Sequence, residues 1–232
     1  MAGTTITASR EVSATSGTKT SWNDARNATT AGSFTEHSTS DSDTDAVAEI
    51  YLSGRGGGTY VINRTYLAFD VSSVPGTISA ADLYVYGKTN SSCDVRPVKS
   101  NAFGGDGASA FVSGDFDSFT NDPPLVYSGE KLWSASSYNV MALNGTAISD
   151  MNSNGYLIVM LLGNDYDYPD TAPGSDINRQ SGIAFKTTGQ EIYLDITYTP
   201  TGYGNDVMGV ASANIGNVIG VATANISTVI GV

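Results

Sequence analysis

The chain has 232 residues, with 11 Lys+Arg against 23 Asp+Glu and a formal net charge of −12. An acidic chain without a basic cluster lacks the Lys and Arg that phosphate contacts need, which argues against a nucleic-acid partner. A single His and a single Cys exclude an internal disulfide and a Cys/His zinc site, and leave any Ser–His–Asp chemistry dependent on His37 alone. Abundant Gly, Ser, Thr, Asn and Asp point to turn-rich β structure rather than a helix bundle.

The opening segment, Met1-Ala2-Gly3-Thr4-Thr5-Ile6, carries neither a basic region nor an apolar run, so no cleaved export leader is expected. That fits a protein assembled inside a host cell and released by lysis. Residues 1–45 are polar and contain only Trp22 and Phe34 as large apolar residues, so they read as an arm packed on the body, with edge strands at Thr4–Ser9 and Glu11–Thr15. His37 lies in a Ser/Thr/Asp stretch of this arm and reads as a solvated loop residue.

From Ala46 the pattern becomes strand-like. Glu49–Leu52 leads into the glycine turn Gly54–Gly58, which lacks P-loop spacing and reads as a hairpin turn. In Arg64–Val71, Leu67, Phe69 and Val71 alternate with Tyr66, Ala68 and Asp70. Ile78–Tyr86 turns Leu83 and Val85 inward and Tyr84 and Tyr86 outward. Residues 99–125 form a long ordered loop with scattered phenylalanines. Tyr138–Leu143 is a strand, and Gly145–Asn154 is a short helix. Tyr156–Leu162 (YLIVMLL) is too short and too continuously apolar for an amphipathic element, and reads as a buried central strand. Ile183–Lys186 and Glu191–Thr199 close the domain. Eight or more strands with almost no helix predict an all-β body, a jelly roll or β-sandwich, over residues 46–200.

The segment Arg64-Thr65-Tyr66-Leu67-Ala68-Phe69-Asp70-Val71-Ser72-Ser73-Val74-Pro75, followed by Ile78-Ser79-Ala80-Ala81-Asp82-Leu83-Tyr84-Val85-Tyr86, resembles the DNRLRE-type carbohydrate-binding-like domains. These carry an R-x-x-L-x-F-D-x-S-S-x-P segment and then an I-x-S-A-x-L-x-L-Y strand. The resemblance extends over about residues 46–200, through Gly155–Val159 and the closing strand Glu191–Pro200. It implies a jelly-roll body of the kind found in secreted polysaccharide-degrading proteins and in phage structural proteins. The family's Trp-Thr-Glu and Trp-Asn segment after the first sheet is not visible in this chain.

Three acidic groups are candidates for hard-cation chemistry, because carboxylate oxygens at such spacing suit Ca²⁺. Asp165, Asp167, Asp170 and Asp176 fall within twelve residues after the central strand; Asp41, Asp43 and Asp45 form a second group, and Asp115 and Asp117 a third. Structural calcium is therefore the one cofactor expected, bound first of all by Asp165, Asp167, Asp170 and Asp176. Tyrosine is frequent, with 13 residues. Tyr84 and Tyr86 on a strand face, and Tyr166 and Tyr168 in a loop, are the candidate ligand contacts, since exposed rings stack on sugars or on protein partners. No buried acid beside an apolar Trp pocket is evident, so a glycosidase is not expected.

Residues 201–206 read as a hinge. Residues 207–232 then repeat with period 11: Val207-Met208-Gly209-Val210-Ala211-Ser212-Ala213-Asn214-Ile215 recurs as Val218-Ile219-Gly220-Val221-Ala222-Thr223-Ala224-Asn225-Ile226. Asn and Ser/Thr in each copy, with no flanking Lys or Arg, argue against membrane insertion. Two repeats cannot bury their own apolar face. The tail therefore needs a partner, with Val207, Ile215, Val218, Ile219, Ile226, Val229 and Ile230 as the assembly contacts. It is similar to the ends of phage structural and fibre-like proteins.

The expected function is that of a non-enzymatic virion structural protein, a head fibre, decoration protein or tail-associated spike. It would sit at the virion surface, anchored or oligomerised (as a trimer) through its tail, with other virion proteins or copies of itself as partners and a host glycan as a further contact. The alternatives are an extracellular or cell-surface carbohydrate-binding module and a self-assembling surface-layer or filament subunit.

Overall fold

A computed structural model describes residues 1–54, 58–119 and 121–201, together with the backbone of two short strands at 217–218 and 221–222. The body is an all-β, sandwich-like fold built on one antiparallel sheet of eleven strands, which doubles over into two layers. The outer layer runs β1 (Ala2–Thr7), β11 (Tyr193–Pro200), β6 (Gly76–Ser91), β8 (Tyr138–Ala142). The central layer holds β2 (Arg10–Thr15), β3 (Ser33–Glu36), β4 (Asp41–Leu52), β5 (Thr59–Asp70), β7 (Val95–Lys99), β9 (Tyr156–Gly163) and β10 (Ile177–Phe185). The long strand β6 belongs to both: Gly76–Tyr86 pairs with β11 and β8, whereas Gly87 and Asn90 pair with Ile183 and Ser181 of β10.

The apolar run of β9 is explained by covers on both faces of the central layer. Leu157, Val159 and Leu161 enter the core between the layers, with Leu83 and Val85 of β6, Leu194 and Ile196 of β11, and Met141 of β8. Ile158, Met160 and Leu162 enter a second core on the far face. That face is closed by α1 (Trp22–Arg26) and by the loop carrying Phe103, Phe111 and Phe116. β5 divides the same way, with Leu67 and Phe69 inward and Ile62, Tyr66 and Ala68 toward the second core. A strand buried on both faces has no solvated side to mark with polar residues, hence the continuous hydrophobic text.

The helix α2 (Gly145–Asn154) forms where it was expected. Asn144 Oδ1 caps it by accepting from the N–H groups of Thr146 and Ala147 at 3.0 and 3.2 Å. Gly155, at φ 75°, ends it in the left-handed conformation that glycine alone adopts without strain.

Residues 1–45 are more than an arm lying on the body. Among the described residues β1 is an edge strand, paired with β11 alone, but β2 is interior, hydrogen-bonded to β5 on one side and β3 on the other. The expected 45/46 boundary falls inside β4, whose polar first half, Asp41–Asp43, pairs with Ile183–Phe185 of β10. Its Asp and Ser residues disguised a strand that is exposed at its start and buried at Ala46–Glu49. In the tail, Asn217–Val218 (β12) and Val221–Ala222 (β13) pair antiparallel. Val218 thus lies in a described strand, while Val207, Ile215, Ile219, Ile226, Val229 and Ile230 lie outside the described residues.

Candidate functional site

The outward face of the outer layer concentrates tyrosine. Period-2 alternation sends Leu83, Val85, Leu194 and Met141 into the core, and so sends Tyr84, Tyr86, Tyr193 and Tyr138 outward from three adjacent strands. Register brings them together, since Tyr84 is opposite Tyr193, and Tyr86 is opposite Tyr138. The Tyr84 and Tyr193 rings stack at 4.6 Å and 11°. Tyr138 meets Tyr84, Tyr86 and Tyr193 edge-on at 5.9, 5.2 and 5.6 Å. All four rings are half-buried. Burial pushes the phenols of Tyr138 and Tyr193 above their ordinary range, so they remain neutral donors and acceptors.

Beside this cluster Tyr193 walls a shallow depression of about 330 Å³, shared with Thr5, Thr7, Glu191 and Asp195. Backbone N–H bonds from Glu191 and Gly189 lower the Glu191 pKa, which keeps its carboxylate ionised. The site thus offers one aromatic wall, two carboxylates and two hydroxyl side chains, a set suited to hydroxyl-rich neutral compounds. Tyr84 and Tyr86 were legible as outward rings. Tyr193 stood in the same alternation with Ile192, Leu194 and Ile196. Tyr138 was hidden because nothing local shows that its strand lies beside β6.

Tyr166 and Tyr168 do not join this cluster. Tyr166 lies under the Arg179 guanidinium at 5.5 Å and Tyr168 under that of Arg96 at 4.4 Å. The four aspartates singled out for calcium are engaged by other groups of the fold, and Asp167 and Asp170 both lie near Arg26 Nε, at 3.4 and 3.8 Å. Asp165 is paired with Arg179. Asp167 is fully buried and takes Arg64 in a two-pronged contact, Nε to Oδ2 at 2.8 Å and Nη2 to Oδ1 at 2.6 Å. Asp170 accepts from Trp22 Nε1 at 2.8 Å, and Asp176 accepts from the Ser53 N–H at 2.7 Å. Among the described residues no group of three or more His, Cys, Asp or Glu side chains is arranged to hold a metal ion.

Arg64 also reaches the Phe116 and Arg26 carbonyls, both at 2.9 Å, and so ties β5 to the loop and the helix that cover the second core. Phe116 and Phe119 flank its guanidinium at 4.7 and 5.2 Å. The Arg64–Pro75 segment therefore begins with a structural residue, one that anchors the far-face cover.

His37 is not a solvated loop residue. It is 5% exposed, stacked on Phe185 with centroids 3.8 Å apart and planes at 4°. The polar residues flanking it in sequence gave no sign that β10 would bring Phe185 over it.

No protein-family model and no curated protein matches this chain.

Proposed function

We propose that this chain is a structural display protein whose β-sandwich presents the outward tyrosine face to a neutral glycan, as part of a virus particle to which its repeat tail attaches it. The observation that supports this reading is the Tyr84–Tyr86–Tyr138–Tyr193 cluster with the adjoining Tyr193, Glu191 and Asp195 depression. Aromatic faces pack on the C–H faces of pyranose rings, and carboxylates and hydroxyls accept and donate to sugar hydroxyls. Carboxylates at this site and a net charge of −12 disfavour sialylated or uronic ligands. The period-11 apolar repeat supports attachment to other virion proteins or to copies of the same chain.

The test is titration of the full chain with panels of neutral and acidic oligosaccharides, read by calorimetry. Saturable binding of neutral sugars, lost in Tyr193→Ala and in Glu191→Gln with the melting temperature retained, is the expected result. Equal binding by Tyr193→Ala, or no binding across the panel, removes the glycan reading. Incorporation of the chain into particles, compared with Ile215→Asp/Ile226→Asp, tests the placement separately.

A further inference from the structure

The only histidine is the middle member of a hydrogen-bonded series. Its backbone N–H donates to the Glu11 carbonyl at 2.9 Å, which fastens the end of β3 to β2. Its Nε2 lies 3.1 Å from Ser13 Oγ, and its Nδ1 lies 3.2 Å from Asp41 Oδ2. The Phe185 ring locks the imidazole plane. Burial lowers the His37 pKa against the opposing pull of Asp41 and Asp43, which leaves the ring neutral at pH 7. With Nδ1–H donated to Asp41, the Nε2 lone pair faces the Ser13 hydroxyl. Nucleophile, base and orienting carboxylate thus come from β2, the end of β3 and the start of β4, each within hydrogen-bond reach of the next.

Ser13 also lines a cleft of about 160 Å³, with Ser33, Thr35, Asn63, Asp43 and Asp45. We propose that Ser13 is a nucleophile activated by His37, with Asp41 as positioning residue, and that the cleft takes a short-chain acyl ester of a neutral alcohol. Two observations set that substrate class. A protein cavity of about 150 Å³ accepts a benzene-sized group, so a cleft of this volume has room for an acetyl-sized acyl group. Asp43 and Asp45 line the same cleft as Ser13, and their carboxylates disfavour an anionic substrate.

In the acylation step Ser13 Oγ bonds to the ester carbonyl carbon while its proton passes to His37 Nε2. The C–O bond to the alcohol then breaks, and the alcohol oxygen leaves with that proton. Water repeats the sequence on the acyl-serine: its proton goes to Nε2 and returns to Ser13 Oγ as the acid departs. The balance is ester plus water to acid plus alcohol. Ser33 and Thr35 line the same cleft, and their hydroxyls are assigned as the donors to the developing oxyanion.

This inference is independent of the glycan reading. The full chain is treated with phenylmethylsulfonyl fluoride, and the adduct is located by intact-mass and peptide mass spectrometry; acetate release from p-nitrophenyl acetate is followed in parallel. One sulfonyl group on Ser13 is expected, together with ester turnover that Ser13→Ala abolishes. His37→Gln slows labelling about 100-fold or more. Asp41→Asn, at an exposed carboxylate whose change leaves the core untouched, slows it at least about tenfold. The melting temperature of each variant shows that the fold is retained. A folded chain unlabelled at Ser13, or labelled at the same rate in Asp41→Asn, overturns the proposal.

Discussion

The Asp167 backbone N–H donates to the Glu49 carboxylate at 2.7 Å, while the Asp167 carboxylate itself is held by Arg64. Two fully buried acids in contact are thus treated in opposite ways. Asp167 is matched by a guanidinium. Among the described residues Glu49 receives two backbone N–H groups, from Tyr166 and Asp167, both on Oε1, and none of them partners its Oε2. Burial is the main cause that pushes the Glu49 pKa up, from 4.5 to about 7.

Glu49 therefore makes stability fall with rising pH. Its folded pKa lies above the unfolded value, so its contribution is fully present below pH 4.5 and is lost as pH rises through about 7. The change across that window is on the order of 3 kcal/mol. Glu49→Gln, which keeps the acceptor and cannot ionise, should flatten the dependence and exceed the parent in stability at pH 8. Denaturant midpoints at pH 5 and pH 8 for both proteins measure this. Parallel pH profiles would refute it.

The Arg64–Asp167 pair should show the behaviour of a buried ion pair. Arg64→Met leaves Asp167 with the Arg26 guanidinium alone, 3.4 Å away, and Asp167→Leu strands Arg64, so the second change should cost about 3–5 kcal/mol and the first less. The double variant leaves neither charge uncompensated, so it should lose less than the sum of the two singles. Chemical denaturation of the four proteins closes the cycle, and additive losses would contradict the pairing.

Gly163 ends β9 against Glu49. A Cβ at this position would lie 2.3 Å from Glu49 Cδ, closer than contact permits. Gly163→Ala should destabilise by about 1–3 kcal/mol, as overpacking does. In Glu49→Ala the obstruction is gone, so the same alanine should cost less there. Thermal melts of both pairs decide the matter.

Every residue of the two described cores lies between Ala8 and Ile196. A chain ending at Thr201, whose N–H donates to the Pro75 carbonyl at 3.1 Å, should fold cooperatively with an all-β circular dichroism spectrum. Precipitation or a coil spectrum would show that the body needs its tail.

The parts of this fold that could be read from the sequence are those whose cause is local. β5 showed its alternation, β9 its length and apolar text, and α2 its Asn144 and Gly155 ends. What escaped depends on partners remote in the chain. Arg64 and Asp167 are 103 positions apart, and Ser13, on β2, and His37, just past β3, are 24 apart. β2 read as an edge because Glu11 and Ser13 are polar. In the fold both are buried, Glu11 beside Lys186 and Ser13 beside His37. Half of the tyrosine face was visible as outward rings on β6. The other half required knowing that β8 and β11 flank that strand.

The ladder between β1 and β11 gives the body a direction. Ala2 pairs with Tyr198 and Thr7 with Tyr193, so the amino terminus and the point where the tail departs lie side by side at one end of the outer layer. Tyr193 stands seven residues back from Pro200, the last residue of β11, about 24 Å from that exit. A tether fixed there holds the molecule by one end and leaves the aromatic face toward the other. Pulling the two termini apart would unzip β1 one rung at a time, whereas a load carried from the tyrosine face to the tail runs lengthwise along β11.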